Sequence, residues 1–149
     1  MSNKYISSFQ YLGSSISSLK IRNDFIGIDN EEKLKHKLDV SHSILSIDKH
    51  EDEDIYISYL ELNIKVVLSE GKKKYSVDLS MQGCFAAPLD MEEKQFIQML
   101  KLNGISSLYS IARGFIQSTT SQTLVSGNIA LPMFNVAAYS RDKDKQETD

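Results

Sequence analysis

The sequence predicts an α+β domain, a four-stranded antiparallel sheet with two helices on one face, from three observations. Apolar and polar residues alternate along three stretches between Lys33 and Phe85; a less regular apolar stretch, Phe9 to Phe25, precedes them; and the apolar spacing changes to that of a helix after Pro88. A chain of 149 residues holds one core of ordinary size, so a single domain is expected over 1–140, followed by a disordered charged tail over 141–149.

From Phe9 to Phe25 the apolar parity changes and changes back. Phe9 and Tyr11 share one parity, Ile16 takes the other, and Leu19, Ile21 and Phe25 return to the first, which reads as a long strand with a bulge. Between Lys33 and Val40 the alternation puts Leu34, His36, Leu38 and Val40 on one side. From Ile55 the same rule groups Leu60, Leu62, Ile64, Val66 and Leu68, and after a turn carrying Gly71 it groups Tyr75, Val77, Leu79, Met81 and Phe85. Connections this short make the three strands an antiparallel meander.

Pro88 closes the sheet. Asp90 is placed to cap a short helix over "MEEKQFIQMLKL", with Glu92 and Glu93 near the positive end of its dipole. Asn103-Gly104 reads as its stop. From Ile105 a longer helix follows, with Leu108, Ala112, Phe115, Ile116 and Thr119 at helical spacing, and Gly114 inside it suggests close approach of another group. Gly127 breaks the pattern. "IALPMFNV" then forms an extended apolar strap that Pro132 keeps from becoming helical, and "RDKDKQETD" has alternating charges without an apolar anchor, so it reads as frayed.

Few kinds of chemistry are accessible to these residues. The 17 Lys and Arg against 20 Asp and Glu give a net charge of −3 with no dense basic block, which argues against nucleic acid. No apolar run approaches the roughly 18 residues that span a bilayer, and the beginning of the sequence has no secretory pattern, so a cytoplasmic protein without membrane insertion is expected. His36 and His42 are separated by about 20 Å along a strand, too far to share one ion. His50 opens "HEDED", which reads as a solvated hairpin turn because it lacks the glycine and terminal glutamate of a calcium loop. Cys84 follows Gly83 in a strand without a nucleophile signature. No glycine-rich phosphate cradle exists. The expected catalytic and metal-ligating residues are therefore none, and no cofactor is expected.

The run "NGISSLYSIARGFIQSTTSQTLVSGNIALPMFNV", Asn103 to Val136, resembles the C-terminal half of the SecB family of export chaperones, in which a helix leads through a glycine to a proline-containing strap. Leu108, Tyr109, Ala112, Arg113, Ile116, Leu131, Pro132 and Asn135 occupy the matching places. "YSVDLSMQGCFA" is similar to that family's last strand and "FQYLGSSISS" to its first, so the likeness extends from Phe9 to Val136. Departures are Gly114, where the family usually has a charged residue, Met133, where a second proline is usual, and the charged "RDKDKQETD", where the family's export chaperones carry a C-terminal helix that helps dock SecA.

The resemblance implies an ATP-independent chaperone that holds non-native polypeptides in extended form, for export or for protection of an antitoxin. It implies a homotetramer, a dimer of dimers, with SecA or an antitoxin as a further partner. The client-binding residues implied are Tyr11, Phe85, Leu108, Tyr109, Phe115, Met133 and Phe134, while Ile16, Ser118, Thr119, Thr120 and Ser121 are assigned to the oligomer interface. Glu61, Asp78 and Lys37, on the polar sheet face, are candidates for docking a motor. An enzyme of similar strand order and an adaptor for one folded partner are the alternatives, the first opposed by the lack of converging titratable groups.

Overall fold

The structure is a computed structural model and describes residues 6–24 and 34–148. Phe25 and Lys33, at the ends of the first two expected strands, and Asp149 in the expected tail lie outside the described residues.

Strands β1 (Gln10–Asn23), β2 (Lys35–His50), β3 (Ile55–Glu70) and β4 (Lys73–Pro88) form one antiparallel sheet in the order β1-β4-β3-β2. The meander β2-β3-β4 is as expected, and β1 pairs with the far side of β4, leaving β1 and β2 as the two edges. The period of two then does its work on the central strands. Leu60, Leu62, Ile64 and Val66 of β3, with Tyr75, Val77, Leu79, Met81 and Phe85 of β4, are buried on the helix-bearing face. Glu61, Asn63, Asp78, Ser80 and Gln82 point the other way, where Ser80 Oγ donates to Asn63 Oδ1 at 2.6 Å.

β1 carries two register shifts, between Tyr11 and Gly13 and between Ile16 and Ser18. Leu12 and Ser17 are the extra residues. Each moves the strand's parity by one, so Tyr11, Ile16, Leu19 and Ile21 all stand opposite helix-side residues of β4 despite their uneven spacing. β2 runs ten residues past the expected end at Val40, because a shift between Ile44 and Ser46 makes Leu45 the extra residue and hides the alternation beyond it. "HEDED" is the expected tight turn: Asp54 N donates to Glu51 O at 3.3 Å, and Asp54 adopts φ 60°.

Helix α1 (Glu93–Met99) begins later than expected. Glu92 and not Asp90 stands at its N-cap, without a side-chain bond to the helix. Asn103-Gly104 does not end the helical run. The chain continues through a wide π-helical turn, Leu100–Gly104, in which Ile105 N–H reaches Leu100 O, and passes directly into α2 (Ile105–Thr123). Gly104 stays right-handed because its glycine serves packing: a Cβ there would stand 3.0 Å from Leu60 Cδ2. Gly83 of β4 acts the same way, since a Cβ would fall 2.6 Å from Leu108 Cδ2, so the empty position lets α2 sink onto the sheet. At Gly114, by contrast, a Cβ would meet nothing within 4 Å among the described residues, so none of them makes the expected close approach.

The expected frayed tail is also corrected. Residues Val136–Thr148 form a third helix, α3. Asn135 caps it through Oδ1, which accepts from Ala138 N–H at 3.0 Å, and Lys101 of the π-helical turn holds Asp144 at 2.7 Å. The tail lacks apolar residues of its own; the body of the protein supplies the anchors.

Candidate functional site

α2 lies across β3 and β4, buried along Ile105, Leu108, Ala112 and Ile116, and its two flanks are treated differently. The chain after Gly127 turns back along one flank in the opposite direction and is clasped there by polar groups. Thr120 Oγ1 accepts from Ile129 N–H at 2.8 Å while donating to Ile116 O at 2.7 Å. Arg113 Nε donates to Leu131 O at 3.2 Å, and Tyr109 Oη to Pro132 O at 2.6 Å. Burial holds the Tyr109 phenol above its ordinary pKa, so it remains a donor at neutral pH. Ile129 and Leu131 are buried between exposed Ala130 and Pro132, the alternation of an extended strap.

Past the clasp, Phe134 stacks on Tyr109 with ring centroids 5.0 Å apart and meets Tyr139 of α3 at 5.3 Å. Tyr139 Oη lies 2.8 Å from His42 Nδ1 on β2. Burial lowers the His42 pKa below the ordinary value, with Lys101 adding to the effect, so the ring is neutral in its seat. Strap and α3 together close the β2 side of the helix layer.

Among the described residues the other flank has no such cover. A helix turns 100° per residue, which places Ile111, Phe115 and Ser118 on the side of α2 away from Tyr109, Arg113 and Thr120. Leu108, between the two, sits over Gly83, and the neighbour of β4 beyond is β1. Tyr11, Ile16, Leu19 and Ile111 on this flank, and the bulge residue Leu12, are 38–56% exposed, and Ile21 and Phe115 are half-buried. The result is an exposed apolar strip on an edge strand beside an apolar helix flank.

The residues expected to bind clients are thus dispersed. Tyr11 and Phe115 belong to the open flank. Phe85 and Leu108 are fully buried core, because α2 settles over Gly83 and shuts them in, so neither reaches a surface. Tyr109 and Phe134 join the closed flank, and Met133 stands 83% exposed at the strap, its Sδ 3.2 Å from Arg113 Nη1. Of the residues assigned to the interface, Ile16 and Ser118 face the open flank, Thr119 is half-buried and Ser121 exposed. Thr120 is fully buried and holds the strap, so it cannot be a surface contact. Missed by the sequence reading were Ile111, Leu12 and Leu19, and His42 with Tyr139; the first three carry the same signal as any core residue, and the last pair meets across 97 positions.

Among the described residues no group of three His, Cys, Asp or Glu could hold a metal ion, and no helix is long and apolar enough to cross a membrane. Cys84 is half-buried on the polar sheet face, opposite Tyr59 and Gly13.

No family model matches the chain, and no curated protein matches its sequence. A solved structure does. The SecB-like chaperone Rv1957 of Mycobacterium tuberculosis, in complex with a ChAD peptide from the antitoxin HigA1, superposes at TM-score 0.65 with 11% identity, over 85% of this chain and 91% of the other. The fold is SecB-like. A protein of unknown function from Streptococcus agalactiae overlaps less closely, at TM-score 0.47 and 8% identity over 84% of this chain and 97% of that one. The SecB-like fold is thus shared with the mycobacterial chaperone over most of the chain, with little sequence in common.

Proposed function

We propose that this SecB-like chain is a chaperone that holds non-native polypeptides without ATP, and that its open flank is where chains meet it. The observation that carries the reading is the uncovered apolar strip of β1 and α2 on a fold shared with a polypeptide-binding chaperone. Sinking one client side chain there gains about 1.5–3 kcal/mol, whereas fixing each extended client residue costs about 1–2 kcal/mol. One strip barely breaks even. Retention requires several strips on one particle, since the first contact raises the effective concentration of the next. A homotetramer supplies them, assembled through β1 and α2 with Ile16, Ser118, Thr119 and Ser121 at the contact; Tyr11 and Phe115 of the open flank are left to clients, with Met133, exposed on the strap, as an outlying contact.

The held chain has two destinations: transfer to SecA for export, or shielding of an antitoxin. The antitoxin peptide bound by the mycobacterial neighbour favours the second. The test is suppression of aggregation of several unrelated denatured proteins, without nucleotide, by the intact chain and by a Tyr11→Ser, Phe115→Ser, Met133→Ser variant. Suppression by the first and its loss in the second, at unchanged particle mass, support the reading. Retention of a single folded protein, with no effect on denatured ones, would replace it by an adaptor.

A further inference from the structure

α3 is held by a small set of side chains. Its aromatic member, Tyr139, sits against Phe134 and edge-on to His42 with ring centroids 5.4 Å apart, and its carboxylates Asp144 and Glu147 lie 2.7 and 3.7 Å from Lys101 Nζ. Lys101 is only 18% exposed, while Asp144 and Glu147 are 53% and 67% exposed, so the pairing is half-buried and partly screened by water. The Asp144 hydrogen bond raises the Lys101 pKa, which marks the pair as favourable in place.

The remainder of the contact is loose. A cleft of about 500 Å³ runs between α1 and α3, lined by Lys94, Ile97, Lys101, Leu102, Ser140 and Arg141. On the other side, a second of about 350 Å³ separates Leu38 and Val40 of β2 from Tyr139. α3 spans 13 residues with Val136 and Tyr139 as its large apolar side chains, too short to be stable in water alone.

Lifting α3 would uncover a seat of definite chemistry: an apolar trough from Leu38, Val40 and Phe134, His42 as an acceptor or donor for a hydroxyl, and Lys101 with Lys94 at the far end. We infer that α3 is a removable internal occupant of this seat, and that its competitor is a helix of a partner protein carrying an aromatic side chain and, five and eight residues further on, carboxylates. The spacing is that of Tyr139, Asp144 and Glu147, and its charge complements the two lysines. The inference goes beyond the holding of extended chains, which uses the opposite flank.

The probe is a fluorescein-labelled peptide with the sequence of residues 136–147, added to the full chain and followed by anisotropy. Asp144→Asn with Glu147→Gln loosens the internal helix and leaves the seat intact, so the probe should bind at least about tenfold tighter than to the parent chain. Adding Lys101→Glu should abolish that gain, and a probe with Tyr139→Ala should bind neither protein. Amide exchange should show residues 136–147 accelerated about tenfold in the loosened variant with β3 and β4 unchanged, which also shows that the variant is folded. Unchanged exchange of α3, or faster exchange without tighter probe binding, overturns the inference. Either result leaves the aggregation assay unaffected, so this proposal and the chaperone reading fail separately.

Discussion

The two flanks of α2 stand on the same sheet and share the same helix, yet one is finished by the chain itself and the other is left bare. On the β2 side, Thr120, Arg113 and Tyr109 give the strap's backbone defined partners, and Phe134 and Tyr139 bring aromatic cover. On the β1 side, Tyr11, Ile16, Leu19 and Ile111 remain 38–46% exposed among the described residues. Water-exposed apolar area of this kind is unfavourable for an isolated monomer, which is the physical ground for the proposed contact surface there.

Four experiments sharpen this contrast, beginning with the largest expected effect. Leu108 supports both flanks from beneath, over Gly83, so Leu108→Ala should cost about 2–5 kcal/mol in urea denaturation and degrade strap and open flank together. Thr120→Val should act on one flank only. It strands the buried Ile129 N–H, costs about 1–3 kcal/mol, and speeds exchange of the strap's amides while those of β1 keep their protection. Equal acceleration in β1 would show that the flanks are one cooperative unit. Ile16→Ser with Ile111→Ser removes exposed side chains, so stability should move by no more than about 0.5 kcal/mol per site, while particle mass or capture of denatured protein falls. No change in either would mean that the bare flank is not a contact surface.

The smallest effect is on pH. Burial under α3 lowers the His42 pKa, so the undocked state binds more protons and docking weakens as pH falls below the ordinary 6.5. The charged groups around that ring are Lys101 from the π-helical turn and Lys143, Asp144 and Glu147 from α3, while β3 places Leu62 opposite. Lys101 has the reverse sign: its pKa is raised, so its contribution is complete below the ordinary 10.5 and is lost as pH rises beyond it. Amide exchange of residues 136–147, corrected for intrinsic rates, should therefore be slowest between these limits. Protection that does not change from pH 7.5 to 5.5 would remove His42 from the latch.

The sheet was legible in the sequence because period-two patterning is a local property. Even the β1 bulge shows as a change of parity, at Ile16. The second half of β2 was not legible, since Leu45 breaks the alternation and only pairing with β3 restores it. Gly104 looked like a stop because a local rule was applied to a residue whose role is tertiary, room for Leu60. The same limit applies to the site. Phe85 and Leu108 have the sequence pattern of groove residues and core residues alike, and what separates them is the depth to which α2 descends at Gly83. α3 was missed for a related reason, its support coming from Lys101 and His42; the Asn135 cap was the one local sign available.

The two inserted residues of β1 also set a limit on growth. An unbroken edge ladder of this length would template copy after copy, as fibrils do, but a strand interrupted at Leu12 and at Ser17 offers an incoming strand only short regular runs on either side of each kink. In the proposed assembly, those two interruptions would favour a closed particle of a few copies over an endless one.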